Sequence, residues 1–255
     1  MIISPQSLLK ENVSILVVGV GGTGSYISTL IGQMAFSMNK LTDGEKSIRI
    51  NLLDDDIVTD SNIGRANFYP CDVGLTKAEV IEDRISHALG VHVSSSTNKL
   101  TMDSFSTLPR YDLIITCVDS GELRYQIGKY LSDAVCDTLW VDVGNGKDDG
   151  QVVIGHLGRG HTGKYPNVYD LFGDTLLQAD DDDSPSCSLE EALTRQDLGV
   201  NYHAASRAFN AVWQLIRYGK LQYSVDFFSF SGMEDSKVAA NSEAWATFGY
   251  SPNLN

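Results

Sequence analysis

The chain has 255 residues, of which 42% are apolar, enough for one large α/β domain with an ordinary core. Its formal net charge of −14 removes any diffuse attraction for nucleic acid or for an anionic membrane, and no apolar run approaches the roughly 20 residues that span a bilayer. The start, MIISPQSLLKENVS, lacks the basic and apolar regions of a signal peptide, and Cys71, Cys117, Cys136 and Cys187 form no C-x-x-C pair; the expectation is free thiols in a reducing cytoplasm and no structural zinc.

In chain order, SILVVGV (14–20) is a continuous apolar run, as in a parallel strand buried on both faces. A helix follows over Ser25–Met38. SIRINLLDDD (47–56) reads as a strand ending in carboxylates, and GLTKAEVIEDRISHAL (74–89) as an amphipathic helix. VHVSS (91–95) and YDLIITCVD (111–119) are strands, the second again ending in an aspartate. A helix over 121–135 and strands over 138–144 and 150–157 come next. This alternation predicts a Rossmann-like, doubly wound, mostly parallel sheet with helices on both faces. After His156 the chain turns rich in Gly, Asp, Ser and Pro, which predicts a long crossing loop. A helix over 201–219, a strand over 223–231 and a polar tail from Glu234 complete the reading. His156 and His161 flank a Gly-rich turn and read as surface histidines, with a metal site as the alternative.

Between the first strand and helix lies Gly19-Val-Gly21-Gly22-Thr-Gly24. Such glycines permit a tight turn and close approach of a phosphate, and the helix N-terminus presents free N–H groups to the anion. NAD, FAD, SAM and ATP users share this geometry, and an acid such as Asp54, Asp55 or Asp56 serves a ribose in most of them. The next stretch discriminates: Asn62, Arg65 and Lys77 follow at once. A dinucleotide pyrophosphate needs few cations beyond its glycine turn. A triphosphate carries up to about four charges, and reaction at phosphorus spreads charge over oxygens that such cations stabilise. Asp119 ends a strand on the same carboxyl edge, where open α/β sheets bind ligands, and an aspartate facing phosphates suits Mg²⁺.

Together, Gly19-x-Gly21-Gly22-x-Gly24, DDDIV (54–58), Ser61-Asn62-x-x-Arg65, Gly74-x-x-Lys77 and CVDS around Asp119 resemble the ThiF/MoeB superfamily, the adenylating domains of ubiquitin-like activating enzymes. The resemblance spans about residues 14–160. SPSCSLEEAL (184–193) and RQDLGVN (195–201) further resemble the ThiF-type protein of the bacterial PRTRC gene system. The resemblance implies a single adenylation domain over 1–255, with a mobile crossover loop at about 158–200 and a tail at about 234–255. It implies ATP on Gly19, Gly21, Gly22 and Gly24, the ribose on Asp54 with Asp56 beside it, the triphosphate on Asn62, Arg65 and Lys77, and Mg²⁺ on Asp119. The implied partners are a small ubiquitin-like protein ending in glycine, a conjugating enzyme and a second copy of the chain. Cys187 is the candidate thiol for a thioester, although Asp180–Asp183 just upstream would raise its pKa. Two departures stand out: Arg65 is followed by Ala66-Asn67 rather than Gln, and the arginine that dimeric relatives lend from their N-terminus is absent, with Lys10 the one early cation. The rival readings are a sulfur-carrier adenylyltransferase, a non-catalytic scaffold and an NAD-dependent oxidoreductase.

Overall fold

The computed structural model describes residues 1–161, 163–178, 189–229 and 235–251. In chain order it forms β1 (Ile2–Ile3), α1 (Gln6–Leu9), β2 (Asn12–Val18), α2 (Gly22–Leu41), β3 (Ser47–Leu53), α3 (Lys77–Leu89), β4 (Val93–Ser96), α4 (Met102–Phe105), β5 (Leu113–Thr116), α5 (Gly121–Leu131), β6 (Leu139–Asn145), β7 (Asp149–His156), α6 (Val168–Phe172), α7 (Leu189–Arg195), α8 (Val200–Tyr218), β8 (Lys220–Leu221), β9 (Tyr223–Ser229), β10 (Ser236–Ala239) and α9 (Ser242–Ala246).

Eight strands form one mixed sheet in the order β10-β9-β7-β6-β5-β2-β3-β4. The strands from β6 to β4 run parallel, and β7, β9 and β10 extend the sheet antiparallel. The expected doubly wound, mostly parallel Rossmann-like sheet is therefore the fold. Burial explains which strand sits where. All four residues of β5 are buried, as a central strand covered on both faces requires, whereas β3 alternates buried positions with half-buried or exposed ones nearer the edge. One helical group packs α2 on α3 and α8; the other packs α5 on α4 and α6.

The topology creates one switch point. After β2 the chain moves outward through β3 to β4, then returns to lay β5 on the other side of β2. The carboxyl ends of β2 and β5 therefore diverge, leaving the crevice in which such sheets bind ligands.

Two segments differ from the sequence reading. The stretch read as a crossing loop carries α6 and α7. Asn167 caps α6, its side chain accepting from Asp170 N at 3.1 Å. The stretch read as a polar tail adds β10 to the outer edge of β9 and then forms α9. Trp245 of α9 is 6% exposed and donates its indole N–H to Ser224 Oγ at 2.9 Å. Trp245 anchors this segment with Phe248 and Tyr250 partly buried beside it, and elements of four and five residues are too short to show a periodic apolar pattern.

Candidate functional site

Val18 ends β2 with Leu53 of β3 on one side and Thr116 of β5 on the other. The glycine turn thus emerges between two strand ends. Gly19 has φ +81°, and a Cβ there would lie 2.8 Å from the Cys117 carbonyl oxygen. At Gly24 a Cβ would lie 1.8 Å from the Gly19 carbonyl oxygen, so helix and turn touch backbone to backbone. A Cβ on Gly22 would meet the Asn201 amide at 2.6 Å, while Gly21 faces open space. Gly21 is also the N-cap of α2, which has no side-chain cap and no acid in its first turn. An uncapped 20-residue helix with open space at its start fits an anion: its first N–H groups and its dipole favour negative charge.

Asp54 follows β3 and reaches back to the turn. Its Oδ2 accepts from Val20 N at 2.5 Å and its Oδ1 from Asp56 N at 2.9 Å. Burial raises its pKa, with Lys77 and the two backbone donors opposing. Lys77 is the first residue of α3 and is largely buried. Its Nζ is 2.7 Å from Asp56 Oδ2, so this cation is paired with a carboxylate. Asn62 is buried in the 3-10 turn Asp60–Asn62, where its Oδ1 accepts from Thr59 N at 2.9 Å. Asp55 and Asp60 are exposed.

Arg65 is half-buried. Its Nε donates to the Ser61 carbonyl at 2.8 Å and its Nη1 to Gln196 Oε1 at 3.1 Å. Burial lowers its pKa while the Asp119 carboxylate raises it; a guanidinium remains charged throughout. Asp119 is exposed just beyond β5. The neighbouring Ser120 is the N-cap of α5, accepting from Leu123 N at 3.1 Å, so the cap belongs to Ser120 and not to Asp119.

The structure therefore brings the glycine turn, Asp54, Arg65 and Asp119 to one carboxyl edge and places Lys77 on Asp56 beside them. Lys10 pairs with Asp112 at 2.8 Å before β2 begins, a full strand length from the turn. Asn67, two residues beyond Arg65, donates its backbone N–H to Ser25 Oγ and its amide to Thr29 Oγ1, both at 3.0 Å. Cys187 and Asp180–Asp183 lie outside the described residues. Cys117 sits beneath the turn, its thiol pKa pushed strongly up by burial and by Asp142; Cys136 is buried and Cys71 exposed. His156 is a correction: it is 3% exposed, stacked on Tyr165, and part of the core rather than the surface.

Sequence reasoning missed four polar residues here. Thr23, Asn145, Gln196 and Asn201 come from α2, the end of β6, the end of α7 and the start of α8, and they meet behind the glycine turn. Gln196 and Asn201 lie within RQDLGVN, a stretch noticed only for its resemblance to a subgroup.

Comparison with known proteins gives consistent results. The ThiF family matches residues 5–244. Ubiquitin-like modifier-activating enzyme 5 of Caenorhabditis elegans is 25% identical over 172 residues, covering 61% of this chain and 36% of that protein. Adenylyltransferase and sulfurtransferase UBA4 of Scheffersomyces stipitis is 30% identical over 148 residues, 56% of this chain and 30% of its own length. The chain thus spans about a third of the curated relatives it matches. The crystal structure of E. coli MccB with MccA superposes with a TM-score of 0.65 at 18% identity, covering 92% of this chain and 66% of that one. The likeness to MccB is one of fold.

Proposed function

The chain belongs to the ThiF family, and from that premise we propose that it activates the C-terminal carboxylate of a small ubiquitin-like protein by ATP-dependent adenylation. The observation that supports this reading best is the convergence of an uncapped glycine turn, Asp54, Arg65 and Asp119 at one switch point. An oxidoreductase would leave the Arg65 cation without a task. In the proposed step a carboxylate oxygen attacks the α-phosphorus of ATP. The new bond is the acyl–phosphate C(O)–O–P linkage, the bond to the β-phosphate oxygen breaks, and pyrophosphate leaves. The glycine turn orients the phosphates, and Arg65 stabilises charge that moves onto the departing oxygens. Asp54 receives the ribose. Asn62 shapes the turn that carries Arg65, and Lys77 with Asp56 lines the triphosphate side. Among the described residues no three His, Cys, Asp or Glu side chains gather as a metal cage. Asp119 would hold a Mg²⁺, which would supply positive charge to screen the triphosphate.

In this reading the domain works as one adenylation unit, paired with a second copy, and resembles the PRTRC ThiF-type protein in RQDLGVN and SPSCSLEEAL. A second step would pass the acyl group to Cys187, releasing AMP and forming a thioester for a conjugating enzyme. The UBA4 relative, an adenylyltransferase and sulfurtransferase by name, keeps sulfur-carrier activation as the second reading.

The test is ATP–pyrophosphate exchange with the purified chain and small glycine-tailed proteins. Exchange that depends on one such protein is the expected result and names the substrate. ATP binding without exchange would point to a scaffold, and no ATP binding would overturn the reading. Cys187→Ala should retain exchange and lose any thioester; a thioester that persists would place the nucleophile elsewhere.

A further inference from the structure

Behind the glycine turn, one buried amide joins four separate parts of the chain. Asn201 is 4% exposed. Its Nδ2 donates to the Arg65 carbonyl at 3.3 Å and to Gln196 Oε1 at 3.2 Å. Its Oδ1 accepts from Asn145 Nδ2 and from Thr23 Oγ1, both at 3.1 Å. Both donors and both acceptor directions of the amide are used. The orientation is fixed by chemistry: Arg65 Nη1 can only donate, so Gln196 must turn its oxygen to it, and Asn201 must then turn its NH₂ to that same oxygen.

The joint that holds these residues is tied down on other sides as well. Asp197 N donates to the Lys147 carbonyl at 2.7 Å, clamping the joint to the β6–β7 hairpin. Helix α7 packs on the 3-10 turn Asp60–Asn62. The exit of the crossing segment and the phosphate-facing loop are thus one assembly. Within it the Arg65 guanidinium is held at two of its five N–H groups, by Ser61 O on Nε and by Gln196 on Nη1. The Nη2 edge is not used by either bond. A long flexible cation held in this way enters a binding event with its orientation already set, which lowers the entropy lost on binding.

The geometry points to Gln196 and Asn201 as positioning residues that fix Arg65 relative to the glycine turn, so that the two anion-binding elements grip one polyphosphate together. This rests on the proposed ATP-binding function. Asn201 sets the spacing, because its amide lies against Gly22 while its other bonds hold the Arg65 backbone. Gln196 sets the direction of the guanidinium. Neither touches the nucleotide.

The test is a double-mutant cycle on the full chain, with equilibrium ATP binding and melting temperature as readouts. Gln196→Ala should weaken ATP binding about tenfold with an unchanged melting temperature, since Gln196 is only half-buried. In an Arg65→Ala background the same change should alter ATP affinity less than about twofold, because the residue it positions is gone. Gln196→Asn, too short to reach, should behave as Gln196→Ala. Asn201→Ser should weaken binding in the same Arg65-dependent way. Equal losses in both backgrounds, or no loss from Gln196→Ala in the parent chain, would overturn the inference while leaving ATP binding intact. A parent chain that binds no ATP would overturn the proposed function and this inference with it.

Discussion

Gly24 and Gly21 share one turn, yet alanine should fail at each for opposite reasons. At Gly24 the added methyl meets the Gly19 carbonyl oxygen at 1.8 Å, and a backbone atom cannot step aside. Gly24→Ala should cost about 3 kcal/mol of stability, read as a lowered urea midpoint. At Gly21 the methyl enters open space, so stability should hold within about 1 kcal/mol. That space is where the anion would sit, so ATP affinity should fall by about tenfold or more. Equal urea midpoints for the two variants would refute the packing argument. Arg65→Ala and Asp119→Ala probe the cation and the acid proposed to hold Mg²⁺. Each should abolish pyrophosphate exchange with the melting temperature intact, because Arg65 is half-buried and Asp119 exposed without capping α5. Undiminished exchange in either variant would remove its assigned role.

At the level of elements, Trp245 is the most deeply buried large side chain of residues 235–251, which add β10 to the outer edge of the sheet. Trp245→Ala removes a nearly buried ring and leaves Ser224 Oγ without its donor. The loss should be about 3 to 5 kcal/mol in urea unfolding, whereas Glu243→Ala on the same helix should change stability by less than about 0.5 kcal/mol. The contrast shows what was legible in the sequence. The central strands β2, β5 and β6 announce themselves because both faces are buried over most of their length and their residues are mainly apolar, with Asp142 the buried exception. Helix α8 announces itself through Ala204, Ala208, Ala211 and Leu215 on one face. Strand β10 and helices α6, α7 and α9 are only four to seven residues long, too short to show a periodic apolar pattern, and few of their described side chains are fully buried, among them Val168, Leu171 and Trp245. The site divides in the same way. Gly19–Gly24, Asp54 and Asp119 are local signals at strand ends. The Thr23–Asn145–Gln196–Asn201 cluster joins residues up to 178 positions apart, and no spacing rule connects them.

Across the whole molecule, acidification acts through opposed forces, and the buried imidazole of His156 allows one of them to be isolated. The chain carries a formal net charge of −14, so lowering the pH toward its pI of about 4.6 relieves self-repulsion and favours the folded state. Asp54 and Asp142, whose pKa values are raised by burial, also favour the folded state as they take up protons. His156 works the other way. Burial pushes its pKa down to about 4, against the pull of Asp137 and with the help of Lys164. Its Nδ1 accepts from Tyr165 N at 3.0 Å, a bond that a proton on Nδ1 would break. The unfolded chain takes up this proton near pH 6.5 and the folded chain resists until about pH 4. The stability attached to His156 is therefore complete above pH 6.5 and is lost as the pH falls through that window. Between pH 7 and pH 5 the loss should be about 2 kcal/mol. A His156→Phe variant keeps a ring against Tyr165 but cannot titrate, and the cost of its unpaired Tyr165 N–H is the same at every pH. Urea unfolding of both proteins at pH 7, 6 and 5 separates this effect from the global charge, which the two share. The stability gap between them should narrow by about 2 kcal/mol on going to pH 5; a constant gap would mean that His156 is free to titrate in the folded chain.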